Sequence, residues 1–280
     1  MENEQFVSQS TPLYTIGELA KAYDIHPQTL RYFDKQDLIN PARTGEGERR
    51  KYSFYELYRI ALRKQYKNMG VSVKETQNIF HNYSLNQYAR MIDECEACNH
   101  QRQLRIEIER RGIKRVKDKM DKIPLCLERC VFDARPAMWR VPHIVDQKFV
   151  QSPRSVAARK ILLDSAPLSC YSFVLDVNSP NHDPLYYQWD VAAEEADAAL
   201  IGLDQIPGAL FIPSDVCMYT IFIIEGTSAI NIKRLEPALS LMQALGETPC
   251  GKIYGNSLFE FTQENGETVR YFEAWIPFKR

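Results

Sequence analysis

The chain has 280 residues, of which 45% are apolar and 25% charged, the composition of a folded protein with room for about two domains. No apolar run approaches the ~20 residues that a membrane helix requires, and the start, MENEQFVSQS, lacks the basic and hydrophobic regions of a targeting segment. These features exclude disordered, fibrous and membrane-spanning classes and predict a cytoplasmic protein. The seven cysteines are an odd number, which predicts reduced thiols rather than a disulfide framework.

Charge divides the chain into two halves. Residues 1–123 hold 22 Lys and Arg against 17 Asp and Glu, a net charge of +5, whereas residues 124–280 hold 13 against 19, a net charge of −6. A basic half favours contact with a polyanion. All three tryptophans, Trp139, Trp189 and Trp275, lie in the acidic half, which makes that half the first candidate for a small-molecule site.

Short helices follow one another along the basic half. Pro27 suits the first turn of one helix, because proline has no N–H to leave unpaired. Helices over about 16–22 and 27–35 would be separated by only four residues, which is typical of a helix-turn-helix. Three capping boxes of the form Ser/Thr-x-x-Glu mark the start of the helix over 16–22 and of two later helices: Thr15 with Glu18, Ser53 with Glu56, and Ser72 with Glu75.

The predicted helix over about 27–35 carries donors suited to DNA phosphates and base edges: Gln28, Thr29, Arg31, Tyr32 and Lys35. Thr15 joins this candidate DNA-binding set. A glycine-containing loop follows, with four cations close together: Arg43, Arg49, Arg50 and Lys51. After a helix-turn-helix, such a loop is typical of a wing that grips the DNA backbone. The alternative is an ordinary solvated loop.

Residues at heptad spacing follow the helix-turn-helix region. Nine of the twelve seam positions between Leu85 and Ile123 are apolar, and the exceptions are Asn99, Arg102 and Glu109. This pattern predicts a coiled-coil dimerisation helix over 84–123, whose simplest partner is the same helix of a second copy. A symmetric dimer would place two recognition helices on an inverted repeat of double-stranded DNA.

Five segments resemble the winged-helix domain of MerR-family transcriptional regulators, in order and at the expected spacing: Tyr14–Lys21, Thr29–Lys35, Leu38–Pro41, Arg50–Ser53 and Met69–Glu75. The resemblance implies a homodimer held by an antiparallel coiled coil, which activates RNA polymerase by untwisting and bending promoter DNA. It also implies backbone contacts from Arg31, Tyr32, Arg50 and Tyr52. The chain departs from the family pattern at Phe33, where many members have tyrosine, and in a lengthened wing at 45–48.

The acidic half has the pattern of an α+β domain. Strand-like runs lie at about 126–141, 169–177, 185–192, 208–224, 251–261 and 268–277, around helix-like runs at 152–165 and 229–245. The order strand, helix, strand, strand therefore occurs twice. The layout and the final strand are similar to the GyrI-like effector-binding domain of multidrug-sensing MerR regulators of the BmrR type.

The final strand carries a carboxylate between two aromatic rings. Alternation places Tyr271, Glu273 and Trp275 on one face. Because an unpaired buried carboxylate is costly, we expect a cationic aromatic ligand to supply its partner. Six further candidates for the ligand site lie on other strands: Glu260, Tyr187, Trp189, Tyr219, Phe222 and Tyr254. The alternative is that Glu273 has an internal partner and that the aromatic residues form an ordinary core.

The predicted organisation is a flexible arm (1–12), a winged-helix DNA-binding domain (13–83), a coiled-coil helix (84–123) and a GyrI-like domain (124–280). We expect a ligand-responsive transcriptional activator, neither an enzyme nor dependent on a cofactor or metal. Two alternatives stay open: a metal- or thiol-responsive regulator that uses Cys95 and Cys98, three apart on one helix, and a GyrI-like domain with hydrolytic activity in which Glu273 is the base.

Overall fold

The computed structural model describes residues 12–44, 49–177, 188–226, 230, 232–264 and 266–279. The chain divides into two compact units, Met1–Gln103 and Leu104–Arg280. In the described parts of the chain, no helix is both long enough and apolar enough to cross a membrane. The domain boundaries expected from the sequence remain a proposal.

The first unit is built of short helices and a small sheet. Its helices are α1 (Ile16–Tyr23), α2 (Pro27–Lys35), α3 (Phe54–Asn68) and α4 (Val73–His81), followed by α5 (Leu85–Cys126), which continues into the second unit. Its strands are β1 (Tyr14–Thr15), β2 (Ala42–Thr44) and β3 (Arg49–Tyr52), paired antiparallel in the order β1-β3-β2. The predicted helix pair and long helix are confirmed, and β2 and β3 flank the predicted wing. The wing tip, residues 45–48, lies outside the described residues.

Capping explains where these helices begin. The boxes at Thr15 and Ser53 are complete, with the side-chain oxygen and the glutamate bonded reciprocally to backbone N–H groups. The third box is only half formed. Ser72 accepts from the backbone N–H of Glu75, but the Glu75 carboxylate accepts from the Tyr83 hydroxyl. Each cap satisfies donors that have no partner within the helix.

One apolar cluster joins the helix pair to the sheet: Leu19, Leu30, Ile39, Tyr52 and Ile60. Leu30 is the inward residue of α2 and is fully buried. Because residues on an α-helix repeat every 3.6 positions, burying Leu30 turns its polar neighbours outward. The first unit therefore presents the polar face of α2 to solvent.

The second unit is α+β, as predicted. Its helices are α6 (Pro153–Ser165), α7 (Glu195–Ile201) and α8 (Glu236–Ala244), with a short 3-10 helix at Ile232–Leu235. Its strands are β4 (Cys130–Arg135), β5 (Met138–Val145), β6 (Lys148–Phe149), β7 (Ser169–Asp176), β8 (Gln188–Glu194), β9 (Leu210–Ile212), β10 (Asp215–Glu225), β11 (Thr248–Pro249), β12 (Lys252–Thr262), β13 (Thr268–Ile276) and β14 (Phe278–Lys279).

One large antiparallel sheet organises these elements. Its order is β4-β10-β13-β12-β7-β8-β5-β6, with β9 beside β5, while β11 and β14 form a separate pair. The order strand, helix, strand, strand occurs twice, as β5-α6-β7-β8 and as β10-α8-β12-β13, and the two halves meet where β7 pairs with β12.

Several predicted boundaries were wrong. The run 126–141 is not one strand, since α5 continues to Cys126 and the strands β4 and β5 are separated at 136–137. The helix expected from 229 begins as a 3-10 turn and becomes α-helical at Glu236. Helix α7 was not predicted. Part of the run expected at 185–192 lies outside the described residues.

The last long strand, β13, separates two cores. Phe272, Ala274 and Ile276 belong to a core that packs against α8 residues. Trp275 belongs to a second cluster, and Tyr271 packs against it. The predicted alternation of faces along β13 is confirmed, and Glu273 lies on the face of Trp275.

Candidate functional site

Helix α2 presents the residues expected to contact DNA. Gln28, Arg31, Tyr32 and Lys35 are exposed, and Thr29 is half-buried. The imidazole Nδ1 of the preceding His26 accepts from the backbone N–H of Gln28, and this bond caps the helix. The side chains at 28, 31, 32 and 35 follow i, i+3, i+4, i+7 spacing and share one face. Their contact with DNA remains a prediction.

The strands of the wing bring their cations next to α2. The guanidinium Nε of Arg50 donates to Asp34 Oδ2 at 2.6 Å, and Nη2 of Arg43 lies 3.8 Å from the same oxygen. The bond to Asp34 raises the pKa of Arg50. Arg49 is exposed and Lys51 half-buried. The Arg50–Asp34 pair therefore ties β3 to α2, and the contact of Arg50 with phosphate stays a prediction.

Tyr52 does not fit its predicted role. Its side chain is fully buried in the apolar cluster of the first unit, and its hydroxyl has no hydrogen-bond partner among the described residues. The predicted contact of Tyr52 with the DNA backbone is therefore wrong in this conformation, because tyrosine at this position fills the core. Thr15 is exposed, but its hydroxyl is engaged in the cap of α1.

In the second unit, Glu273 lies at the centre of the sheet with its side chain 1% exposed. The ammonium of Lys119, from α5, donates to Oε1 at 2.9 Å and to Oε2 at 2.6 Å. The Tyr219 hydroxyl donates to Oε2 at 2.9 Å, and Nδ2 of Asn256 donates to Oε1 at 3.0 Å. A carboxylate has about four lone-pair positions, so Glu273 is fully coordinated.

The surroundings of Glu273 strengthen this network. Burial, followed by the negative charge of Glu273, raises the pKa of Tyr219 far above its ordinary value, so that its hydroxyl stays protonated and donates. The Lys119 ammonium also lies 5.3 Å from the centre of the Trp275 ring, a cation–π distance. The aromatic side chains of Tyr219 and Trp275 therefore flank the ionic pair.

The expectation that Glu273 lacks an internal partner is wrong. The pair joins residues 154 positions apart in sequence, so no local pattern around β13 could reveal it. The sequence of α5, which carries Lys119, did contain a signal for this pairing. Arg111, Arg115 and Lys119 are spaced by four residues, which places three cations on one face of a helix. Arg111 and Arg115 contact Asp197, at 2.9 and 2.8 Å.

Beside this pair, a cavity of about 340 Å³ opens between α5, α6 and the sheet. Gly112 on α5 is buried, and a Cβ there would lie 2.9 Å from Pro167 Cδ, so the glycine permits close packing of the helix against the loop after α6. The apolar part of the lining is Val116, Leu162, Leu163, Ala166, Pro167, Tyr171, Leu258 and Phe259; the polar part includes Arg115, Lys119, Glu194, Asn256 and Glu273.

The aromatic candidates divide between the two faces of the sheet. Tyr219 and Trp275 pack with Tyr271 on the Glu273 face. Phe222 and Trp189 belong instead to the core on the opposite face. Grouping Phe222 and Trp189 with Glu273 was therefore wrong, because their strand positions have the other parity.

The remaining candidates have separate environments. Tyr254 lies under two guanidinium groups, those of Arg135 and Arg140, at 5.0 and 4.7 Å. Glu260 is exposed and pairs in register with Arg270. Tyr187 lies outside the described residues. Sequence reasoning missed four of the cavity residues: Lys119, Arg115, Asn256 and Phe259. The four-residue spacing of Arg115 and Lys119 was a usable signal, whereas Asn256 and Phe259 stand in no recognisable motif.

The cysteines offer no ligand set for a metal. All seven are free thiols. Cys95 is half-buried, burial raises the pKa of its thiol, and its Sγ lies 3.6 Å from Met91 Sδ. Across the parts of the chain that the structure describes, no group of three or more His, Cys, Asp or Glu side chains could hold an ion.

Comparison with known proteins finds a family match within the first unit. Residues 14–83 match the family described as "MerR HTH family regulatory protein". The helix pair, the three-stranded sheet and the long helix fit this assignment. The N-terminal part of the chain is therefore a MerR-type helix-turn-helix domain.

Individual relatives match different shares of the chain. The transcriptional regulator ZntR of Escherichia coli is 31% identical over 67 residues, which are 24% of this chain and 48% of ZntR. An uncharacterized HTH-type regulator of Pseudomonas aeruginosa is 27% identical over 121 residues, 43% of this chain and 88% of that protein. The EcmrR–DNA complex has 14% identity and a TM-score of 0.36 over 94% of this chain and 99% of that chain. The chain thus spans about half the length of ZntR.

Proposed function

We propose that this protein is a ligand-responsive transcriptional regulator. It binds promoter DNA through the first unit, in the cytoplasm, and activates RNA polymerase by distorting the promoter. A hydrophobic compound that carries a positive charge binds in the second unit, which we propose to be GyrI-like and of the BmrR type. The observation that carries the proposal is the presence, in one chain, of a MerR-type helix-turn-helix domain and a separate unit with an apolar cavity beside a buried carboxylate.

DNA binding is supported by the exposed face of α2. Arg31 and Lys35 project from it into solvent beside Gln28 and Tyr32, and cations on a recognition helix gain affinity by releasing counterions from the duplex. The neighbouring strands of the wing add Arg43 and Arg49 on the surface.

We expect Arg31→Ala to weaken promoter binding and to reduce the slope of log K against log salt by ~1, the loss of one phosphate contact. Fluorescence anisotropy at several salt concentrations measures both quantities. Lys21→Ala on α1 is the matched control, since Lys21 is an exposed cation outside the predicted contact set. An unchanged slope for Arg31→Ala would remove Arg31 from the interface.

Ligand binding is supported by the chemistry of the cavity. Its volume is at the low end of the ~300–1,000 Å³ typical of small-molecule sites, and most of its lining is apolar. A ligand that occupies it lies next to the Glu273 carboxylate. The ligand acts as a switch only if it binds two states of the protein with different affinity, and ~1–3 kcal/mol of coupling is typical.

We expect Glu273→Gln to weaken the binding of aromatic amines by roughly 10- to 100-fold, because a hydrogen bond between charged groups contributes ~1.5–3 kcal/mol. A matched pair of probes, 2-(naphthyl)ethylamine and 2-(naphthyl)ethanol, separates charge from shape in isothermal titration calorimetry. The alcohol should lose little affinity. Equal loss of both probes would indicate damage to the fold rather than removal of a charge.

The proposal favours a regulator over the two alternatives. A hydrolytic role would require Glu273 to accept a proton from water, yet both of its oxygens already accept two hydrogen bonds. A metal-responsive role would require a set of metal ligands around Cys95 and Cys98. Cys98 is exposed, and among the described residues neither cysteine belongs to a group of three or more potential metal ligands.

We also propose that the protein is a homodimer joined through α5. Three seam residues at seven-residue spacing, Ile106, Ile113 and Met120, are 63%, 66% and 55% exposed. An apolar stripe at heptad spacing fits the seam of a coiled coil with a second copy.

A further inference from the structure

We propose that Lys119 is an internal cation that occupies the place of the ligand's charge, and that a ligand with a protonated primary or secondary amine displaces it from Glu273. This inference rests on the proposed ligand site in the second unit. It specifies the ligand chemistry and identifies the group that must move when the ligand binds.

The first argument is the complete coordination of Glu273. Each carboxylate oxygen accepts two hydrogen bonds, from Lys119 and Tyr219 on one side and from Lys119 and Asn256 on the other. An incoming cation therefore finds no vacant acceptor position. It must replace one of the three donors, and a replacement that leaves the charge of Glu273 balanced is the exchange of one ammonium for another.

The second argument is the mobility that each donor's position permits. Tyr219 is fully buried and Asn256 is 7% exposed, each held on a strand of the sheet. The Lys119 side chain is 14% exposed and has a flexible four-carbon stem. Lys119 is therefore the donor that can leave at the lowest cost.

The third argument is that Lys119 has somewhere to go. It lines the apolar cavity and also a second, polar cavity of about 520 Å³ on the same part of α5. That second cavity is lined by charged side chains of both signs: the carboxylates of Asp118, Glu194 and Asp197 and the cations Arg110, Arg111, Lys114, Arg115 and Lys122. A rotamer change would carry the Lys119 ammonium, whose side chain is already 14% exposed, from Glu273 into this polar space, where water can solvate its charge after displacement.

The fourth argument concerns the type of cation. Oδ1 of Asn256 is buried and has no hydrogen-bond partner among the described residues. The Asn256 orientation follows from its Nδ2 donation to the anionic Glu273. A primary or secondary ammonium has at least two N–H donors, one for Glu273 and one for Asn256 Oδ1. A quaternary ammonium has none, and would leave both acceptors unsatisfied at a cost.

Chemical rescue tests the site directly. In the full-length Lys119→Ala variant, millimolar n-butylammonium should raise the melting temperature by several degrees more than it does in the wild type, while tetramethylammonium and n-butanol should not. Lys122→Ala is the matched control, because Lys122 is on the same helix and pairs with Asp133 rather than Glu273. An equal response of Lys119→Ala and Lys122→Ala would overturn the inference.

Affinity tests the competition. Lys119→Met keeps the apolar stem and removes the competing charge, so 2-(naphthyl)ethylamine should bind at least about tenfold more tightly than to the wild type, with little change for 2-(naphthyl)ethanol. Lys119→Met is also the fallback if Lys119→Ala does not fold. Unchanged or weakened amine binding to Lys119→Met would show that Lys119 does not compete with the ligand.

The two proposals can fail separately. If Glu273→Gln loses amine affinity but Lys119→Met gains none, the ligand site stands and the displacement of Lys119 is wrong. If n-butylammonium rescues Lys119→Ala but promoter affinity and transcription never respond to any amine, the cation exchange at Glu273 stands and the sensor function is wrong.

Discussion

Replacing Gly255 with alanine is expected to destabilise the second unit strongly. A Cβ at this position would overlap both the ring of Phe173 and the backbone carbonyl oxygen of Glu273. Phe173 is itself fully buried, and a carbonyl in a paired strand cannot move away without breaking the sheet. Overpacking costs typically 1–3 kcal/mol, occasionally more, and here both obstacles are rigid. We expect the free energy of unfolding to fall by about 3 kcal/mol or more, and the melting temperature to fall by roughly 6–12 °C.

Thermal unfolding followed by circular dichroism measures this effect. Gly17→Ala is the control, since the nearest atom to a Cβ there is Thr15 Oγ1 at 4.0 Å and alanine favours helix. It should leave the melting temperature unchanged or slightly higher. Gly255→Ala at wild-type stability would mean that β7, β12 and β13 do not pack as described.

Replacing Ile106 with glutamate is expected to convert the proposed dimer to monomers. The residue is exposed in the single chain, so the substitution should leave the fold of each unit intact. In the dimer, its position on the seam would bury a carboxylate at an apolar contact, and an uncompensated buried charge costs several kcal/mol. A dimer binds two DNA half-sites at once, whereas a monomer binds only one. Promoter affinity should therefore fall by at least about a hundredfold in the Ile106→Glu variant.

Sedimentation velocity distinguishes dimer from monomer. Gln103→Glu adds the same charge at an exposed position on the same helix but off the seam, and it should stay dimeric. A dimeric Ile106→Glu variant would refute the assignment of α5 as the dimerisation helix. A wild-type monomer would do the same.

The network at Glu273 also indicates how ligand chemistry could be read out. Removing the cation from a buried carboxylate such as Glu273 is costly unless another charge replaces the one that leaves. The Lys119–Glu273 pair would therefore resist neutral compounds and yield to amines. In the proposed exchange, selectivity would come from the cation that the site already holds, and not from an attraction between the ligand and an unpaired carboxylate.

The sequence by itself determined the features that depend on neighbouring residues. Capping at Thr15 and Ser53 located helix starts, because a cap joins groups three positions apart. Alternation along β13 separated Phe272 from Glu273, because strand geometry has a period of two. The resemblance of residues 14–83 to a MerR-type domain was recognisable for the same reason, since the motifs that carry it are short and local.

Only the tertiary structure decided which charged groups pair and which polar side chains stay exposed. Lys119 and Glu273 are 154 positions apart, and the sheet order that brings β13 next to β10 and β12 has no local signature. Tyr52 has a polar hydroxyl, but packing against Leu30 and Ile60 placed it in the core rather than on the DNA-binding face. The physical reason is that burial and ion pairing are set by contacts across the whole fold, whereas a sequence pattern reports only what lies within a few turns of a helix or along one strand.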